Sequence, residues 1–388
     1  MKLKQSPDDF EVTEQTDVRP GPEGEFAFYR LVKRGWTTPD ALQVIRRRWK
    51  VNLERIAYGG LKDRHAHTTQ YLTIVRGPER NLAQQGITLT YLGRLKKPFS
   101  SADVRANSFT LTLRDLSDSA LNSARLALDE VAEVGVPNYF DDQRFSSVAG
   151  SQFIAREMVL GRFEEALRLA LTAPYEYDRA EAKREKAILR DCWGNWPVCQ
   201  ERLPRGHVRS LVGYLADNPT DFRGALARLR PELRGLYLSV YQSHLWNRIL
   251  ARWIEQHVPE EERLTLSLRL GPVPAPRAIP AALRPTWESL TLPLPSARLR
   301  LDPGAPWAEL VEAVMAQEGI ALSEMRVRGM DKPFFSKGDR LAILRPANLE
   351  HRAEADERHA GRQKLILKFD LPRGVYATMI VKRITQPA

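Results

Sequence analysis

The chain has 388 residues, long for one compact core, so two domains are expected. With 43% hydrophobic and 28% charged residues it is not a disordered chain, and a formal net charge of +11 makes a polyanion, nucleic acid first, the expected partner. Cys192 and Cys199 belong to no paired CxxC pattern. That excludes a disulfide framework, fits a reducing compartment and leaves both cysteines expected to be inert.

Residues 1–10 are charged and polar and contain no apolar run of the secretory kind. No stretch approaches roughly eighteen uninterrupted apolar residues, so a soluble, cytoplasmic protein is expected. Thr37-Thr38-Pro39-Asp40 ahead of Ala41, Leu42, Val44 and Ile45 reads as a capped helix start with proline at the first position. Arg46-Arg47-Arg48-Trp49-Lys50 then sets cations at the negative end of its dipole. Residues 70–75 and 108–114 are strand-like, with Phe109, Leu111 and Leu113 alternating with polar residues, and Ser117 to Val134 returns to a helical period before the turn Gly135-Val136-Pro137. Strands and helices interleave without regular βαβ spacing, which predicts an α+β fold.

Phe153 to Ala173 reads as one amphipathic helix, and Asp178 to Arg190 as a charged helix with Asp178 as its N-cap. Tyr237 to Trp253 reads as a long, mostly buried helix. The proline-rich stretch 270–306 reads as extended connection or short strands, and 346–360 as a polar, charged link rejoining one domain to another. Lys364 to Leu371 alternates as a strand. Tyr376, Met379, Ile380 and Arg383 then fall at helical spacing after Gly374, which favours a final helix over a strand. No internal repeat of fixed period is present.

The first constellation with chemistry is Gly59-Gly60-Leu61-Lys62-Asp63-Arg64-His65-Ala66-His67-Thr68-Thr69-Gln70. It holds one acid among cations and donors, where the charged carboxylate is favoured over the neutral acid. A turn with a solvated acid is the competing reading. Adjacent side chains point apart, so the ion-pair partner of Asp63 is to be sought elsewhere in the chain. His65 and His67 form an HxH pair with no third ligand at a recognisable spacing, so no metal site is expected. Glycine spacings of a phosphate loop or a dinucleotide-binding turn are missing.

The second constellation is Val136-Pro137-Asn138-Tyr139-Phe140-Asp141-Asp142-Gln143-Arg144-Phe145. Aromatic faces alternating with amide and guanidinium groups suit stacking on a flipped base and hydrogen bonding to its edge, although the same rings can fill a core beside a turn. Arg46 to Lys50, Arg94 to Lys97, and Arg202, Arg205, His207 and Arg209 are candidate phosphate contacts, or solvated faces. Trp193 and Trp196 are expected to pack rather than to stack on a base.

These two runs, with Pro7-Asp8-Asp9-Phe10-Glu11-Val12, Gln242-Ser243-His244-Leu245-Trp246-Asn247 and Leu371-Pro372-Arg373-Gly374-Val375-Tyr376-Ala377-Thr378, resemble the TruD family of tRNA pseudouridine synthases, in the family's order across nearly the whole chain. The resemblance implies a bilobed α+β protein whose catalytic domain, with a mixed, largely antiparallel sheet, is built from 1–150 and 346–388. An inserted α/β TRUD domain over 151–345 separates the two segments. It implies tRNA as substrate, typically uridine 13, with no metal, cofactor or membrane, in a protein that can work as a monomer. By motif it makes Asp63 the catalytic acid, and Phe10, Asn138 and Tyr376 the lining of the uridine pocket. Phe140 stacks near the base in the same mapping, and Lys4 and Lys62 assist through charge. Asp141 and Ser146 stand where the family has glycine, and Tyr376 and Trp246 where it has phenylalanine; the extra acid at Asp141 is a candidate disturbance of RNA docking.

Converting uridine to pseudouridine leaves the atom inventory unchanged, so no redox cofactor is required. An ionised Asp63 can add to C1′, or stabilise charge there and take a sugar proton; the sequence leaves both open. Two rivals from other classes are a non-catalytic RNA-binding or RNA-folding protein on the same scaffold and a metal-dependent nuclease. The first gives no reason for an intact Asp63 motif, and the second lacks a spaced cluster of carboxylates and histidines.

Overall fold

The computed structural model describes residues 1–175, 178–330 and 334–386. The chain divides into two compact units, one made of Met1–Gly135 and the segment from Leu344 onward, the other of Val136–Ile343. The expected boundary at residue 150 lies inside the middle unit, which therefore includes the aromatic run 136–145.

The first unit is built on a nine-stranded sheet. Its strands are β1 (Phe10–Gln15), β2 (Phe26–Arg34), β3 (Ile56–Tyr58), β4 (His67–Val75), β5 (Leu82–Gln84), β6 (Ile87–Leu95), β7 (Ala106–Leu116), β8 (Ala347–Ala355) and β9 (Gln363–Pro372). They lie in the order β8-β9-β7-β1-β4-β2-β6-β5, with β3 beside β4. The β1–β4 pairing is parallel, aligning Glu11 with His67, while β1–β7, β2–β4 and β7–β9 are antiparallel. The architecture is α+β, with the β1–β4 contact carrying the N-terminal strand alongside the end of the Asp63 loop.

Period-two patterning explains which face each strand buries. Ala27, Tyr29 and Leu31 of β2 join Leu72 and Ile74 of β4 and Leu89 of β6, and helix α1 (Thr38–Trp49) closes this layer with Ala41, Leu42, Val44 and Ile45. Phe28 points the other way, onto Phe99 and Val104. Helix α1 starts as its sequence requires: the Thr37 side chain accepts the Asp40 N–H, proline occupies the first turn, and Lys50 ends the helix in the left-handed conformation. Helix α2 (Asp118–Val134), capped by Ser117, packs against the final helix α3 (Ala377–Thr385), and an Arg383–Glu130 ion pair joins them.

The middle unit is organised around the long helix Pro231–His257, whose Trp246 and Trp253 are buried. Trp253 stacks on Trp287 at 5.3 Å, and Gln242 donates to the carbonyls of Pro295 and Ser336 at 2.9 and 2.8 Å. Several sequence expectations need correction here. The single helix expected over 153–173 is two, Ile154–Val159 and Phe163–Thr172, because Gly161 takes a φ of +73° that breaks the helical run. Asp178 does not cap Ala180–Cys192; its carboxylate accepts the Tyr175 N–H and pairs with Lys186 at 2.6 Å. The cysteines are not inert thiols, since Cys192 and Cys199 are joined by a disulfide across a Cα–Cα distance of 5.6 Å. The proline-rich stretch holds a short strand as expected, Gly271–Pro276 paired with Arg263–Leu268, but also a short helix, Arg284–Ser289. In the first unit, the presumed link 346–360 is mostly β8, an edge strand so charged that it reads as linker. Among the described residues, no helix is long and apolar enough to cross a membrane.

Candidate active site

Asp63 lies between β3 and β4 on a loop that starts at a tightly enclosed glycine. A Cβ at Gly59 would come within 2.5 Å of Val104 Cγ2 and 3.2 Å of Phe99 Cε1, so the chain can enter the loop there only without a side chain. Leu61 at the loop's apex is exposed, and the Asp63 side chain keeps a third of its surface open, 33%. The partner that local sequence leaves open is Lys4, whose ammonium donates to Asp63 Oδ2 across 59 residues and is 16% exposed. The same Nζ sits 4.0 Å from the centroid of the Phe10 ring. Lys4 holds a φ of +56°, an uncommon conformation for a side chain of this size, at the point where the N-terminal segment presents it to the acid.

Burial alone would push the Asp63 carboxyl up. The hydrogen bond and charge of Lys4, with the backbone N–H groups of His65 and Arg64, outweigh burial and hold it below the usual aspartate range. The His65 N–H reaches Oδ1 at 3.2 Å. The result is a partly open carboxylate that is an anion at neutral pH, with a cation and an aromatic face beside it.

Lys62, the nearest cation in sequence, turns elsewhere. Its ammonium is 2.7 Å from Glu14 Oε1, and the fully buried Glu14 also accepts the Tyr71 N–H at 2.9 Å. Glu14 carries no motif in the sequence, and its one signal is its parity in β1, which puts it on the buried face with Phe10 and Val12. His67 Nδ1 stands 3.8 Å from Asp8 and 3.7 Å from Glu11. Among the described residues no group of three or more histidine, cysteine or acidic side chains is arranged to hold a metal ion.

Phe10 is buried and begins a row of rings, edge-on to Phe109 at 6.2 Å, with Phe109 stacked on Phe369 at 5.5 Å. Tyr376 is half-buried at the N-cap of α3, its carbonyl accepting the Met379 N–H. Lys4 thus touches both Asp63 and the Phe10 ring, while Lys62 faces Glu14.

Asn138 and Phe140 belong to the middle unit. Asn138 is buried, its amide donating to the Leu341 carbonyl at 2.8 Å and accepting from Arg340 at 2.6 Å. The Arg340 guanidinium lies 4.1 Å from the Phe140 centroid and 5.3 Å from that of Trp246. Asn247 pins the Phe140 backbone at both groups, accepting its N–H at 2.8 Å and donating to its carbonyl at 2.9 Å. Arg340 had no local sequence signal, since it meets Asn138 only through the fold of the unit. Asp141 is 2% exposed, so its charge is not presented on a docking surface as the sequence had suggested. Among the candidate phosphate contacts, Arg94 is engaged by Glu79 and the Gly24 carbonyl, and Arg202 faces Asp191. Trp196 packs as expected, 3% exposed.

The family model described as tRNA pseudouridine synthase D (TruD) matches residues 1–384. The chain is 30% identical over 391 residues to a Methanocaldococcus jannaschii protein named "Probable tRNA pseudouridine synthase D 2", a match covering 99% of this chain and 91% of that one. It is 29% identical over 399 residues to tRNA pseudouridine synthase D of Leptospira interrogans, covering 98% and 95%. A crystal structure assigned to tRNA pseudouridine synthase D (TruD) of Methanosarcina mazei matches with a TM-score of 0.71 at 27% identity, over 100% of this chain and 93% of the other.

Proposed function

The chain belongs to the TruD family of tRNA pseudouridine synthases, and from that premise we propose that it isomerises uridine 13 of tRNA with Asp63 as the reacting carboxylate. The observation that carries this reading is the cluster of Asp63, Lys4 and Phe10, an ionised, partly open acid beside an aromatic wall.

In the reaction the C1′–N1 bond breaks, uracil turns within the pocket, and a C1′–C5 bond forms. The C5 hydrogen leaves as a proton and N1 carries a proton in the product, so atoms balance without an oxidant. The Asp63 anion either adds to C1′ or takes the C2′ proton as the base departs, and both routes fail once it is protonated. Lys4 keeps the anion available. In this reading Phe10 and Tyr376 of the first unit wall the base, where stacking tolerates the in-plane turn of uracil, and Asn138 and Phe140 of the middle unit keep the uridine-binding roles that the family motif gives them. Lys62 acts at one remove, its charge shared with Glu14. Taking the base out of the RNA stack costs a few kcal/mol, which contacts between the basic surface and phosphates offset. The middle unit corresponds to the family's inserted domain. The enzyme works in the cytoplasm as a monomer, with neither metal nor cofactor.

The test is tRNA carrying tritium at uracil C5. The protein is expected to release tritium with and without a chelator, while Asp63→Asn still binds tRNA and releases none. An active Asp63→Asn protein refutes the assignment, and a wild-type protein that binds tRNA without releasing tritium is the RNA-binding alternative.

A further inference from the structure

Lys33 is completely buried, 0% exposed, near the end of β2. It falls on the strand parity of Ala27, Tyr29 and Leu31, where the pattern calls for an apolar residue. Among the described residues no carboxylate side chain pairs with it. Its ammonium instead donates to three backbone carbonyls, Trp36 at 2.7 Å, Asp63 at 2.8 Å and Lys62 at 3.3 Å, which uses all three of its donors. A buried cation is costly, and a lysine that served packing alone would be replaced by an aliphatic residue without loss.

The loop above it is anchored at neighbouring points. The buried Thr38 hydroxyl accepts the Lys62 N–H at 2.9 Å and donates to Gln70 Oε1 at 2.8 Å, and the Gln70 amide holds the Gly60 carbonyl at 3.2 Å. Residues 60–63 therefore rest on a floor of three buried polar side chains, and Lys33 is the one beneath Asp63 itself. Burial pulls the Lys33 ammonium down to about 8, against the nearby Asp63 charge that favours it, and the Lys62 charge lowers it further.

Resting on the reading of Asp63 as the reacting group, we propose that Lys33 is a positioning residue for this reaction. By tying the carbonyls of Lys62 and Asp63 to the end of β2 and to the Trp36 turn, it fixes the Asp63 carboxylate in the place where it meets Lys4 and the substrate sugar.

Single-turnover rate at saturating enzyme and tRNA Kd, each alongside a urea unfolding curve, test this in wild type, Lys33→Met, Lys33→Arg and Asp63→Asn. A misplacement of about 1 Å costs on the order of 100-fold in rate. Lys33→Met is accordingly expected to lose about 100-fold in rate while Kd stays within about twofold, since binding of a polyanion is carried mainly by charges on the surface and Lys33 is buried. A purely structural lysine would lower the unfolding midpoint and leave the rate of the folded protein alone; a folded Lys33→Met within about threefold of the wild-type rate overturns the inference. Should Lys33→Met not fold, Lys33→Arg decides, because it keeps charge and donors but shifts them by one bond. A loss of more than about threefold at unchanged Kd supports positioning, and a smaller loss overturns it. Asp63→Asn separates the two claims: if it is active, the assignment of Asp63 fails, whereas an inactive Asp63→Asn beside a fully active Lys33→Met defeats the positioning role alone.

Discussion

Replacing Arg114 by methionine removes the cation from the most enclosed charge cluster of the first unit. Arg114 is 6% exposed and donates to Asp9 Oδ1 and Asp356 Oδ1, each at 2.8 Å; Asp9 and Asp356 are 2% and 5% exposed. After the substitution both carboxylates keep backbone partners, the Ser6 N–H at 2.7 Å for Asp9 and the Asp115 N–H at 2.9 Å for Asp356. What they lose is the countercharge. Removing one partner of a buried ion pair costs about 3–5 kcal/mol. For a unit of this size that is a fall of about 6–20 °C in Tm. Burial raises the Asp356 carboxyl, but the Asp115 and Arg358 N–H groups and then Arg114 overcome it and hold it below 3.8. A carboxylate lowered in this way stabilises the fold above its unfolded value, and that contribution fades as pH falls through the folded one. The gap between wild type and Arg114→Met should therefore be widest at neutral pH and narrow below about pH 4, as the Asp356 carboxyl is neutralised. Urea unfolding at a series of pH values measures it. A gap under about 1 kcal/mol at pH 7, or one that does not narrow below about pH 4, refutes the reasoning. Asp9 also ends the Pro7–Asp9 turn between Lys4 and Phe10, so Arg114→Met should lose activity before it unfolds.

Lys4→Met removes the main influence holding the Asp63 carboxyl down, so the acid limb of the rate profile should move to higher pH; an unmoved limb would show that Lys4 does not set this ionisation. Asn247→Ala removes its two hydrogen bonds to the Phe140 backbone, at about 0.5–1.5 kcal/mol each, read as a lower urea midpoint. His244 stacks on Phe153 at 4.5 Å, and burial, opposed by Glu318 and helped by Arg248, pulls its imidazole down to about 4. The unfolded chain then binds a proton that the folded one refuses between about pH 6.5 and 4, so stability falls with acidification by about 3 kcal/mol from this group. His244→Gln should flatten that slope, and an identical slope in the variant would exclude His244 as its source.

Local signals were legible wherever the physics is local. The Thr37 cap, the Pro39 start and the cationic end of α1 are interactions within a few residues, and the structure forms them as written. Helix α2 and the last strand and helix, β9 and α3, follow from periodicity over single elements. The sequence misleads where a pattern is right but its continuity is not, as at Gly161, and where a charged edge strand leaves both faces largely open to solvent, as in β8. Its alternation is hidden because an edge gains its hydrogen bonds from one neighbour and buries little side-chain surface.

The sequence by itself determined that an acid in a donor-rich loop, a second aromatic run and several ordered motifs belong to one family of RNA-modifying enzymes. It could not pair the charges. Lys62, one residue from Asp63, turns to Glu14, while Lys4, 59 residues away, meets the acid, and Lys33 reaches its backbone from below. These choices depend on strand register, above all on β1 running parallel beside β4 and β2 lying antiparallel to it. Electrostatic energy follows distance in space and the burial around it, and tertiary structure alone sets both.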